Sequence, residues 1–504
     1  MGTKFILGQE DGTVAGGSAR GEYAVDLQTN RTNANQVAGA EYSNISGGIS
    51  NRVNAPCSAI LGGNNNYIAG SVGSSYQNKI IVGGSDNQIS NVATRNTFIG
   101  GGYGNNINGS SEGGLIVGGY QNTLSGSQTT IGGGQGNIVS SSHSTISGGQ
   151  SNTASTNTHA TVVGGQGNVS SGQYSVSGGF SNTTSGQFNV ALGNTNNTAG
   201  IGAYALGSSN TVNANGSTEN SFAIGESNNM TASRGVYSFG RANTISGGKY
   251  SFIVGQSNTI SASLGENTIF GFSNTISGTS TSGYAIGALN TITGGTNNFA
   301  LGNNNQMGSG ISNKALADNT ERLSGDYTTS IGIAPNPYLR NQFIHGAVGG
   351  SPTRGRTQVS NLIAYNDGVL TTGGTTVLSL DGTGVTNLII PYGTNRMWNV
   401  QVRWVAVVTT ITGTATGVTV GDTKTSTDLL AVAKRGGVTT VSAHTSAGTH
   451  VIETTAGSLT AANITYTAGA SQEMAITFTG PTFAGGGSVT MRVVAAISLT
   501  EVAY

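Results

Sequence analysis

Few residues in this chain have the type and spacing that chemistry demands. The string GSSEG, Gly109 to Gly113, fits the Gly-x-Ser-x-Gly pattern that exposes a nucleophilic serine, here Ser111, between a strand and a helix. A chain with 83 glycines in 504 residues yields such a match by chance, and no strand-turn-helix pattern flanks it. His444, His450 and Glu453 could share a metal only if neighbouring strands met, and their spacing matches no standard ligand set. Glycan hydrolysis needs two carboxylates across a cleft. Between residues 46 and 310 the acidic residues are Asp86, Glu112, Glu219, Glu226 and Glu266, in scattered positions. A calcium-binding roll carries a ladder of Asp, where this chain carries Asn. The expectation is therefore no enzyme, no catalytic residue, no metal and no cofactor. What remains is recognition: Tyr103, Tyr120, Phe180 and Phe272 each stand two residues before a repeated Asn, in a turn, where an exposed ring can stack on a sugar.

The composition narrows the partners. Charged residues make up 8% of the chain and the 20 basic side chains are matched by 20 acidic ones, so nucleic acid and anionic membrane find no basic surplus. A chain that is 35% hydrophobic at zero net charge is expected to fold. The single Cys57 forms no internal disulfide. No apolar run approaches the ~18 residues of a membrane span, and the opening MGTKFILGQEDG lacks the pattern of a signal peptide. The expectation is a soluble protein made in the cytoplasm and released by lysis or another route, with no membrane insertion.

The elements that must position the aromatics come from a repeat. A Gly-x-x-Asn unit occurs in seventeen copies from Asn51 to Asn305, and (305 − 51)/16 gives a mean period just under 16 residues. The residue three before each Asn is Gly in every copy, including Gly48, Gly63, Gly84, Gly149, Gly255 and Gly302. Such a fixed glycine points to a turn with positive φ or a backbone approach too close for a Cβ. Six before the Asn stands a large β-former in all copies but Thr268, and two after it an aliphatic residue in most. Each repeat is thus two short strands about a Gly/Asn turn. The residue four before the Asn is Gly in the first nine copies and large in the last eight, which predicts two segments of different packing that meet near residue 185.

A coil this short encloses an interior about one side chain thick, so neighbouring coils and further copies of the chain must complete the burial. The expected assembly is a homotrimer. Strings such as YSFIVGQSNTISAS, NFALGNNNQMGSG and TVVGGQGNVSSGQYSVSGGFSNTTSG resemble the head repeats of trimeric autotransporter adhesins, which form left-handed parallel β-rolls. They equally resemble repeats of bacteriophage tail fibres and appendages, and Ala19 to Ser43 resembles the lead-in to such arrays in phage-associated proteins.

Outside the repeats, residues 1–40 are read as an attachment and capping segment, 41–310 as the β-roll, and 311–356, with Pro335, Pro337 and Pro352, as a connector. From 357 to 504 longer alternating runs, with Trp398 and Trp404 on one strand face, predict an antiparallel β-sandwich. The fold class is all-β: a parallel β-roll of about seventeen repeats, then the sandwich. The resemblance implies a structural virion protein, a trimeric tail fibre or appendage that joins other tail proteins through its N-terminal segment and meets a host receptor, a glycan. A cell-surface trimeric adhesin is the first alternative, disfavoured by the missing signal peptide, heptad stalk and outer-membrane strands. A tailspike-like polysaccharide-binding protein or depolymerase is the second.

Overall fold

The computed structural model describes residues 12–503 apart from 29, 71–76, 110–111, 215–219, 232–233, 248, 263–264, 319–326, 334–342, 347–356, 380–394, 436–437, 444–453, 457–458, 460–461 and 469–473. The chain divides into two units, Met1–Tyr250 and Ser251–Tyr504. Both contain coils of a parallel β-solenoid, about 19 in all, and the second also holds antiparallel sheets.

In the first unit each coil contributes two strands, and every strand pairs in parallel with its counterpart one coil on: Thr130–Ile131 with Thr145–Ile146, and Ile138–Val139 with Thr153–Ala154. One residue per short strand points inward. On the first strand these are Ile45, Ile60, Ile81, Ile99, Ile116, Ile131, Ile146 and Val162; on the second they include Val53, Ile68, Ile89, Ile107, Leu124 and Val139, all with no exposed surface. The interior is therefore a double column of β-branched and leucine side chains, each worth roughly 1.5–3 kcal/mol on burial.

The column changes phase at one rung. Val162 pairs with Ser177, yet Gly165 pairs with Gly179, so a residue drops out between strand and turn. Counted back from the repeated Asn, the inward position moves from six to five. The residues six before the Asn, read in sequence as one class, therefore split: Ile45 to Val162 point in, whereas Val190, Tyr204 and Phe222 lie outward beside the buried Ala191, Ala205 and Ala223. The repeat contracts here as well, Asn168, Asn182, Asn196 and Asn210 standing 14 residues apart. A shorter coil leaves less room, and its interior is filled by Ser170, Ser175, Thr184 and Thr198. The first three hydroxyls satisfy one another, Ser170 Oγ lying 2.7 Å from Ser175 Oγ and accepting from Thr184 Oγ1 at 3.2 Å, while Thr198 Oγ1 donates to the Thr183 carbonyl at 3.4 Å.

The coils begin before residue 41. Val25–Asp26 already pairs with Asn44–Ile45, and the open end is closed by the buried Asp26, which Arg31 Nη2 meets at 3.0 Å and Arg20 Nε at 3.3 Å. Where an insertion lengthens a coil, Lys79 lies wholly buried and donates to the carbonyls of Ala69 at 2.7 Å and Asn91 at 3.0 Å.

In the second unit the parallel strands run on through the residues read as a connector: Asn298–Asn303, Lys314–Asp318, Thr329–Ile333 and Phe343–Gly346 pair in succession. The Gly-x-x-Asn signature lapses here but the spacing holds, the paired residues Phe299, Lys314, Thr329 and Phe343 standing 15, 15 and 14 residues apart, and the small inward residues Ala300, Ala315 and Ser330 keep the coil closed. Phe343–Gly346 then pairs antiparallel with Thr357–Leu370. That strand opens a sheet in which Thr357–Leu370, Ser488–Ala503, Asn395–Thr412 and Thr423–Arg435 are successive neighbours. A smaller sheet of Thr375–Leu378, Met474–Thr479 and Asn463–Ala468 covers it. Between them lies a core containing Trp398, Trp404, Phe478 and Met491. Trp404 meets Phe478 edge-on at 5.9 Å, and its indole N–H donates to Asp428 at 3.2 Å. The Tyr466 hydroxyl donates to the same carboxylate, which ties the two sheets together; burial and that carboxylate both push its ionisation up.

Candidate functional site

The site is built on the Gly-x-x-Asn turn. The glycines Gly48, Gly63, Gly84, Gly149, Gly255 and Gly302 have φ of 89°, 90°, 85°, 99°, 135° and 125°. A Cβ on any of them would overlap the carbonyl oxygen of the next coil: that of Gly63, Gly84, Gly102, Gly165, Gly271 and Ala317 in turn. The residue just before each Asn is left-handed, as at Ser50, Asp86, Gln121 and Ser181, so the second unusual φ falls there and not on the Asn. The Asn itself is buried. Asn152 donates its backbone N–H at 3.0 Å and Nδ2 at 3.1 Å to Asn137 Oδ1, and Nδ2 also to the carbonyls of Gly148 at 3.1 Å and Gly165 at 2.8 Å. Repeated coil after coil, this amide ladder satisfies the backbone of a bend that would otherwise bury unpaired groups.

The ladder holds the residue two before each Asn extended and facing solvent, in register with its neighbours. Tyr103, Tyr120, Gln135, Gln150 and Gln166 are bridged in that order, and Gln166 pairs with Phe180. Tyr103, Tyr120 and Phe180 are 45%, 43% and 50% exposed. The two tyrosine rings stack at 5.2 Å, so each spends one face on the other and keeps one for solvent. The structure thus brings three of the four aromatics to one ridge, with three amides between them. Phe272, 48% exposed, occupies the corresponding place in the second unit between Gln256 and Ala288.

A second aromatic ladder in the first unit escapes a reading counted from the Asn. His143, His159, Tyr174 and Phe188 stack in sequence, at centroid distances of 4.9, 4.7 and 5.4 Å, and all four have φ between 56° and 65°. Each follows its coil's other bend, nine residues before the Asn in the longer coils and eight in the contracted ones. The signal is present, but it drifts by one residue across the phase change.

Ser111 and the group His444, His450 and Glu453 lie outside the described residues. Of the acidic residues, Asp86 accepts from Asn65 Nδ2 at 2.6 Å, and Glu226 pairs with Arg241 at 3.5 Å on the ridge itself. Among the described residues no group of three or more His, Cys, Asp or Glu could hold a metal ion, and no helix is long and apolar enough to cross a membrane.

No protein-family model matches the chain, and no curated protein matches it. Among solved structures it is similar to the tailspike protein of Acinetobacter baumannii phage AM24, at 9% identity and a TM-score of 0.18 over 92% of this chain and 78% of that one. It is also similar to a tailspike protein of Acinetobacter baumannii bacteriophage Fri1, described as a capsular polysaccharide depolymerase, at 8% identity and a TM-score of 0.15 over 86% of this chain and 79% of that one. The latter corrects the expectation that the chain is no enzyme.

Proposed function

We propose that this chain is a structural component of a phage tail appendage, a homotrimeric fibre or spike, and that it holds a host surface by binding glycan along the ridge of Tyr103, Tyr120 and Phe180. The observation that carries the reading is the ridge. Two stacked rings, three amides and a further ring follow one another on a scaffold whose rungs repeat at ~4.8 Å, and amides and rings together are what a neutral sugar requires: donors and acceptors for hydroxyls, and an apolar face for the ring. Residues 1–40 are assigned to joining other tail proteins, and residues 357–504 to assembly and to a receptor-contacting tip.

Purified full-length chain is expected to compete with the parent phage for adsorption and to bind host surface polysaccharide in titration calorimetry. Tyr103→Ala with Tyr120→Ala should weaken that binding at least tenfold at an unchanged melting temperature, because both rings are exposed. Equal binding by wild type and variant removes the ridge from the reading. Release of new reducing ends in the same samples reads whether the bound polysaccharide is also cleaved.

A further inference from the structure

We infer that the outward face of the first strands from Val190 to Phe239 is an interface with another copy of this chain, parallel and in register, and that the phase change at Val162 and Ser177 is what creates it. The inference rests on the proposed homo-oligomer and assigns it a surface.

On these rungs the ordinary sorting of residues is reversed. Ala191, Ala205, Ala223 and Ser238 fill the inside, fully buried, while the pairs Tyr204 and Leu206, Phe222 and Ile224, Tyr237 and Phe239 stand outside. Their registers hold from rung to rung, Tyr204 opposite Phe222 and Phe222 opposite Tyr237, with rings stacked at 4.4 and 5.4 Å. No charged side chain interrupts the two outward columns between Val190 and Phe239. Ile224 and Tyr237 are each 37% exposed in the single chain. Eight such side chains present about 500 Å² of apolar surface, at the upper end of what a monomer shows in one patch. In the second unit Phe252, Val254, Phe270, Ile286, Leu301 and Leu316 also face outward, beside the buried Ile253 and Ile269 and then Ala285, Ala300 and Ala315.

The occupant is set by the form of the face. It is a ladder of near-identical rungs, flat, uncharged and apolar at every step, and an identical ladder rotated about an axis alongside matches it rung for rung. A soluble ligand or an acidic or basic partner has nothing to hold. The volume argument agrees: the first strands from Ala191 to Ser238 hold only Ala or Ser inside and carry their large apolar groups outside, so that wall of the roll completes its packing between copies.

The test is cross-linking in the full chain with Cys57→Ser as background. Ile224→Cys, treated with a short bis-maleimide, is expected to give covalent dimers in high yield, and Gln150→Cys on the ridge to give none. Ile224→Glu should lower the mass found by sedimentation velocity to that of one chain. Oligomeric wild type with no cross-link at Ile224 overturns the inference while leaving the oligomer standing. Monomeric wild type overturns both, and neither result bears on glycan titration. A cross-link at Gln150 in place of Ile224 moves the interface to the ridge and likewise overturns it.

Discussion

Within the first unit, two stretches of coil solve the same burial problem in opposite ways. Up to Val162 the first strands hold isoleucine or valine inside whatever lies outside, with Asn44 and Thr130 as acceptable there as Phe98. From Ser177 the first strands hold Ala or Ser inside, with Val212, Met230 and Ile245 kept inward on the second strands, and the first strands are uniformly apolar at both outward positions from Val190 on. Both stretches share the glycine, the left-handed residue and the Asn ladder. The turn is therefore independent of the packing it encloses, and a one-residue contraction suffices to move apolar volume across the wall.

The largest effect should come from what the stretches share. Gly149→Val and Gly225→Val each force a Cβ onto a neighbouring carbonyl and a side chain into positive φ. Each is expected to cost at least ~3 kcal/mol, and calorimetric melting that separates the two would show that the turns differ after all. Next comes the interior they do not share: Ile131→Ala should cost about 3 kcal/mol through its cavity, whereas Ala205→Gly, removing one methyl, should cost about 1 kcal/mol. Denaturant titration of the pair measures the asymmetry directly. Asn137→Ala removes the acceptor of Asn152 and the donor to Gly133 and Gly149. A loss of about 2 kcal/mol is expected, matched by Asn210→Ala beyond the phase change.

A pH-dependent effect is confined to the first stretch. Burial holds the Lys79 amine down at about 8, below its ordinary 10.5. The unfolded chain therefore binds the proton more readily between those values. Stability should rise with pH from about 8 toward 10.5, by no more than ~1.4 kcal/mol per pH unit, and be flat below 8. Lys79→Met should abolish the rise. The smallest change has the opposite sign: Ser177 Oγ is buried without a partner, and Ser177→Ala is expected to stabilise by up to ~1 kcal/mol.

The period, the glycine and the strand pairs were legible because each is a backbone demand that leaves a residue type at a fixed spacing. The phase change was visible only in outline, as a shift from Gly47 and Gly62 to Leu192 and Leu206 near residue 185. Its cause, a dropped residue between Val162 and Gly165, is hidden when positions are counted from the Asn. The ridge of Tyr103, Tyr120 and Phe180 was readable for the same reason as the glycines, by offset from the Asn. The His143 ladder was not, since its offset changes midway. Lys79 left no pattern at all: a single lysine is ordinary in sequence, and only the coil geometry shows it buried.

The strand Phe343–Gly346 has one edge in the parallel coils and the other in the antiparallel sheet. A load applied to the sandwich is thus carried into the coils as shear across backbone hydrogen bonds, with no swivel at that point. Twisting the sandwich twists the adjoining coils, as a key turns the shaft to which it is splined.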